Sequence, residues 1–118
     1  MKNKTRPKAM VHTDYLSLVG KTKSKGKRAM LIDYADRDQI EAIAECINNI
    51  LQGNVPLTKR ETTKLKRHKK AMRIVSDRRS PVKHKRNVLK QSGGFLSTLI
   101  PIAVSALGSL VSGLVNNK

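Results

Sequence analysis

From Gln91 to Asn117 the chain carries no charged residue, whereas the stretch before it, Thr58 to Lys90, carries fourteen Lys and Arg against two acids, Glu61 and Asp77. The two stretches need different environments: so dense a run of cations must lie in contact with water or an anionic partner, and so long an uncharged, apolar run must be covered by protein or lipid. All eight acids lie between Asp14 and Asp77. Over 118 residues the net charge is +17, so the compact chain repels itself, and a polyanion that binds the folded form relieves that repulsion. Nucleic acid is one such partner. An anionic membrane surface, which attracts each nearby Lys or Arg by about 1 kcal/mol, is the other.

The central sequence predicts helices. Asp36 followed by Gln39 forms a capping box, after which Ile40, Ile43, Ala44, Ile47, Ile50 and Leu51 recur at helical spacing with Cys46 beside them; Gly53-Asn54 supplies a stop before Pro56. Thr58 and Glu61 form a second box, and Leu65, His68, Met72 and Val75 place an apolar stripe on a helix running to Ser76. Ser80-Pro81 reads as an N-cap followed by proline at the first helical position, opening a third helix through Gln91 with Val82, Val88 and Leu89 as its thin apolar side. Met1 to Arg28 is rich in Lys, Ser, Thr and Gly and reads as a disordered basic arm; a short strand or helix packing Leu16 and Val19 on the core is the other reading. The expected fold is all-α, with a flexible arm over 1–29, a basic unit of about three short helices over 30–92, and a Gly-Gly linker with an apolar C-terminal helix, bent or broken near Pro101, over 93–118.

Several function classes lack their residues. A single cysteine, Cys46, makes no internal disulfide and suits a reducing compartment, and His12, His68 and His84 show no metal-ligand spacing. No Ser, His and acid grouping and no phosphate-cradling glycine loop is visible, so no enzyme, metal or cofactor is expected. The basic N-terminus precedes no signal-peptide run, so the expectation is a chain that starts in the cytosol. Tyr15, Tyr34 and Phe95 are the aromatic residues, none inside the basic helices, which argues against a stacking platform for single strands. The linker Asp77 to Ser80 has no tight glycine turn, which disfavours a helix-turn-helix without removing it.

What remains is neutralisation of duplex phosphates. The residues expected to do it are Lys59, Arg60, Lys64, Lys66, Arg67, Lys69, Lys70, Arg73, Arg78, Arg79, Lys83, Lys85, Arg86 and Lys90. Lysine outnumbers arginine from Lys64 to Lys70, which suits a mobile point-charge grip better than bidentate base readout.

The uncharged run 95–117 is long enough to span a bilayer as a helix, although Pro101 interrupts it, and small residues recur at Ser97, Ser105, Ser109 and Gly113 and at Gly108 and Ser112. Two readings stay open from composition: a tail anchor, which would make the chain a membrane protein with a basic juxtamembrane region, and a helix that covers the small core or a partner. The sequence Ser92-Gly93-Gly94-Phe95-Leu96-Ser97-Thr98-Leu99-Ile100-Pro101-Ile102-Ala103, following a basic region, resembles the tail of the adenovirus core protein X family, the precursors of core peptide mu. The region from about Met30 to Leu96, with Cys46 to Leu57 at its centre, is similar to a protein of adenovirus-like Polinton and adintovirus elements.

The resemblance implies a virion core protein that condenses double-stranded DNA, located in the virion core and the host nucleus. It also implies processing by a viral cysteine protease. That family of proteases cuts after Gly-Gly, which places the bond at Gly94-Phe95, with Gly93, Gly94 and Phe95 as the cleavage residues. Gln91 departs from the pattern, standing where the family has an aliphatic residue, and the basic body here is Lys-rich where the family's is Arg-rich. The partners expected are double-stranded DNA, the maturation protease, a membrane through 95–117 in the alternative reading, and further copies of the chain.

Overall fold

The two capping boxes form as the sequence predicts. The Asp36 carboxylate accepts the Gln39 amide at 2.8 Å while the Gln39 side chain accepts the Asp36 amide at 3.0 Å. Thr58 and Glu61 make the same reciprocal pair at 3.1 and 2.9 Å. These local bonds satisfy amides that a helix start would otherwise leave bare. The computed structural model describes residues 8–116, with side chains as far as Ala106, and among those residues it is all-α. In chain order the elements are α1 (Lys8–Val11), α2 (Thr13–Lys21), α3 (Lys25–Asp33), α4 (Arg37–Leu51), α5 (Lys59–Lys66), α6 (Lys69–Ser76), α7 (Val82–Ser92), a 3-10 turn at Gly93–Phe95, and α8 (Leu96–Asn116).

The central element is α4. Its predicted stripe is buried, with Ile40, Ile43, Ile47 and Ile50 joined by Ala42, Ala44 and Cys46. Burial on more than one side means neighbours on more than one side: α1, α2, α6, α7 and α8 all pack on it. The helix stops at Gly53, whose φ of 75° is a left-handed conformation that side chains with a Cβ avoid. The Gly53 amide reaches the Ile50 carbonyl at 3.1 Å and the Asn54 amide the Asn49 carbonyl at 3.0 Å, the two bonds of a Schellman stop. Burial pushes the Cys46 thiol up to about 12, with the Glu45 charge adding to it, so this cysteine is packing rather than a reactive group.

The N-terminal region departs from the expected disordered arm. Residues 8–29, read as flexible, contain α1, α2 and the first part of α3, and the alternative reading is the one that holds: Leu16 and Val19 are fully buried. The reason is tertiary. Glu45 on α4 accepts the amides of Lys8 at 3.1 Å and Ala9 at 2.8 Å, which fixes the start of α1, and the Lys8 ammonium pairs with Asp38 at 3.2 Å. The α2 helix lies along α8. Their approach is so close that a Cβ on Gly20 would stand 2.9 Å from Ile100 Cγ2. Tyr15 donates its hydroxyl to the Leu31 carbonyl at 3.0 Å, tying α2 to α3. Residues 1–7 of the expected arm lie outside the described residues.

Three further expectations need correction. The helix expected over 58–76 is two helices, because the backbone turns at Arg67-His68 and sends α5 along α8 and α6 along α4 and α7. His68 sits at that joint with its ring 5.3 Å from the Phe95 ring. Pro81 occupies the cap position of α7 rather than its first turn, so that helix starts one residue later than predicted. Finally, of the bend or break expected near Pro101 the break does not occur, and α8 continues through the proline. Proline in its second turn removes one backbone bond, that to the Ser97 carbonyl, while Leu96, Leu99, Ile100 and Ala103 are buried in the shared core. The apolar run therefore contributes its first two turns to the protein interior. Among the described residues no helix is long and apolar enough to cross a membrane.

Candidate nucleic-acid interface

The basic helices expose their charge because their apolar complement is small. In α5 the buried residue is Leu65, which leaves Lys59, Arg60, Lys64 and Lys66 exposed; Arg67 is exposed at the joint. In α6 Met72 and Val75 face the core, and Lys69, Lys70 and Arg73 are exposed. Arg78 and Arg79 stand out on the connection to α7, and Lys83 on its first turn. Arg79 reaches back to Asp77 at 3.3 Å but its side chain stays 92% exposed. That pairing, through the Arg79 backbone amide first and its side chain second, holds the Asp77 carboxyl below its usual range.

The remaining three predicted cations have partners inside the fold. Lys85 is 3% exposed and its ammonium lies 2.9 Å from the Glu41 carboxylate on α4. Arg86 donates from Nη1 to the carbonyls of Ile32 at 2.7 Å, Asp33 at 3.1 Å and Ala35 at 2.8 Å, which closes the C-terminal end of α3. Lys90 pairs with Asp33 at 2.9 Å. Geometry therefore divides the predicted set: eleven residues are displayed, whereas Lys85, Arg86 and Lys90 tie α7 to α3 and α4.

No family model, curated protein or solved structure matches the chain. The electrostatics of the surface are one-sided because the acids are engaged. Asp36 and Glu61 cap helices, Asp33, Asp38, Glu41 and Asp77 pair with cations, and Glu45 holds the α1 amides. Of the eight acids, Asp14 alone has no such partner among the described residues. The surface left over is cationic.

The N-terminal region adds cations that are not among the residues expected from the sequence to bind phosphate. Lys21, Lys23, Lys25 and Lys27 are exposed on and around the α2 to α3 connection. Their alternation with Thr, Ser and Gly is the local signal, and it has the composition of a flexible segment. Among the described residues no group of His, Cys, Asp and Glu is arranged to hold a metal ion.

The expected cleavage residues lie in a structured turn. Gly93 and Phe95 are buried, Phe95 at 2% exposed, and the Gly93–Phe95 segment is a 3-10 turn between α7 and α8. The Gly94-Phe95 bond is thus not presented as an extended strand, the form a narrow protease groove accepts.

Proposed function

We propose that this chain binds double-stranded DNA through its phosphates without reading base sequence, and condenses it, as a core protein of a virus particle. The observation that carries the reading is the display of Lys59, Arg60, Lys64, Lys66, Arg67, Lys69, Lys70, Arg73, Arg78, Arg79 and Lys83 on consecutive elements whose neighbouring acids are already paired or capping. An ordinary solvated surface mixes signs; this one does not. Lysine ammoniums on mobile stems suit a backbone of repeating charges, and the helices offer no aromatic residue to stack on bases. The resemblance of the Ser92–Ala103 region to adenovirus core proteins supports the viral setting. Processing at Gly94-Phe95 belongs to the same reading and requires the turn to unwind first, so it would act on a chain not yet folded or locally opened.

The test is a salt series of full-chain binding to two duplexes of unrelated sequence. Contact with six or more phosphates predicts equal affinities and a loss of roughly a thousandfold between 50 and 200 mM salt. A tenfold preference for one duplex, or a shallow salt dependence with salt-resistant capture by anionic vesicles, would sink the proposal. Condensation is read separately, as duplex compaction at charge-neutralising protein ratios.

A further inference from the structure

Two cations are buried in the described structure, Lys85 at 3% and Arg28 at 9% exposed. Lys85 has Glu41. Arg28 has no acid and no hydrogen-bond acceptor among the described residues, although even the less buried Arg86 closes on three carbonyls. A guanidinium carries five donors in a rigid fork and cannot give up its proton, so withdrawing it from water without an acceptor is costly and calls for an anion.

The surroundings say which kind of anion. Arg28 stands in the first two turns of α3, and its Nε lies 3.6 Å from where a Cβ on Gly93 would be, so the guanidinium lies against the bare backbone of the turn joining α7 to α8. Helical side chains lean toward the N-terminus, and one turn before Arg28 is the start of α3, where Ser24 caps the Lys27 amide and the Lys25 and Gly26 amides have no helical partner. Exposed Lys25 and Lys27 flank it. Two residues along the same turn, Phe95 meets His68 at the α5–α6 joint, where Lys66, Arg67 and Lys69 are exposed.

We propose that Arg28, set between the start of α3 and the Gly93–Phe95 turn, is a seat for a single phosphate group of a nucleic-acid backbone, the neighbouring phosphates passing onto the α5–α6 joint. The inference rests on the duplex-binding reading for its ligand and adds a fixed point to an otherwise mobile grip. Gly93 matters here because it leaves the turn without a side chain beside the guanidinium.

The experiment follows the Arg28 Nε–H resonance of the full chain during titration with inorganic phosphate, then with a duplex, and pairs it with duplex affinities of Arg28→Met, Arg28→Lys and Lys27→Met. The expected result is a shift of that resonance in both titrations and an affinity loss of about tenfold or more for Arg28→Met, against about two- to threefold for Lys27→Met. Arg28→Lys should recover only part of the loss, since it keeps the charge and lacks the fork. A resonance that moves in neither titration overturns the seat even where duplex binding is strong, and so does an Arg28→Met chain that binds like the parent. If that variant fails to fold, the resonance of the unsubstituted chain still decides. A shift with phosphate in a chain that ignores duplex DNA would retain a phosphate seat while removing the DNA reading, and a shift with anionic vesicles but not duplex would overturn the nucleic-acid assignment.

Discussion

The cations of α7 and those of α5 and α6 are drawn from the same residue types at similar density, yet all of those on α7 except Lys83 have opposite surroundings. On α5 and α6, Lys59, Lys66, Lys70 and Arg73 face water with no acid of a neighbouring helix against them. On α7, Lys85, Arg86 and Lys90 reach Glu41, three carbonyls at the end of α3, and Asp33. The difference comes from the neighbours rather than from the helices. The α7 helix runs beside the acids of α3 and α4, whereas α5 lies along the uncharged α8, and α6, though it packs on α4, buries Met72 and Val75 and leaves its cations exposed. A basic residue in such a chain is a structural tie where an acid or a helix C-terminus faces it, and a free charge elsewhere.

Replacement of Lys85 gives the largest expected effect. Lys85→Met keeps the volume and removes the charge, leaving the Glu41 carboxylate without its partner. Removing one member of a wholly buried pair costs about 3–5 kcal/mol, and because the Glu41 side chain is 25% exposed, about 2–3 kcal/mol is expected here. Adding Glu41→Leu should restore most of the stability, as replacing both members of such a pair is often neutral. Denaturant titration of the single and double variants measures this. A single variant as stable as the parent would erase the distinction between the two regions.

Arg86→Met comes next. It opens the C-terminal end of α3, and the three freed carbonyls can be partly rehydrated, so a loss of about 1–2 kcal/mol is expected. The same substitution has a signature in alkaline titration. Burial pushes the Tyr15 hydroxyl from 10.0 up to about 12, the Arg86 charge opposes the rise and Asp36 adds to it. Cys46 rises from 9.0 to about 12. Both groups stay neutral in the folded chain at pH values where the unfolded chain has released their protons. These two groups therefore contribute a loss of stability that begins as pH rises above 9 and continues toward 12. In Cys46→Ala the fall should begin nearer 10, where Tyr15 alone drives it. In Arg86→Met the Tyr15 contribution should extend to higher pH, because the opposing charge is gone. Melting temperatures across pH 8 to 12 separate the three curves.

What the sequence made visible follows the range of the interactions involved. The caps at Asp36 and Thr58 and the stop at Gly53 are set by residues within five positions of one another, so they can be read along the chain. The Arg67-His68 joint meets Phe95 from a later helix connection, and the Lys85 tie reaches a carboxylate forty-four residues away, so neither leaves a local mark. The N-terminal helices were hidden for the same reason. Lys, Ser and Gly around α2 and α3 resemble a flexible arm, and what orders them is Glu45 at one end and the close contact of Gly20 with Ile100 at the other. The site was half legible: the density of charge located the surface, but only partners in space show which cations are free.

The smallest stability effect belongs to the exposed residues, and it sharpens the comparison most. Lys66→Ala and Lys70→Ala remove side chains that touch no acid, so each should change stability by no more than about 0.5 kcal/mol. If the freed charges are the working ones, each substitution that removes a true phosphate contact should lower the slope of log affinity against log salt by about 1, equally on both duplexes. Lys85→Met should do the reverse, lowering stability while leaving the slope of the folded protein unchanged. Measured together, these two quantities sort every cation of the chain into tie or contact. A slope that falls for Lys85→Met and not for Lys66→Ala would mean that α7, not α5, faces the phosphates, and the assignment of the two regions would have to be exchanged.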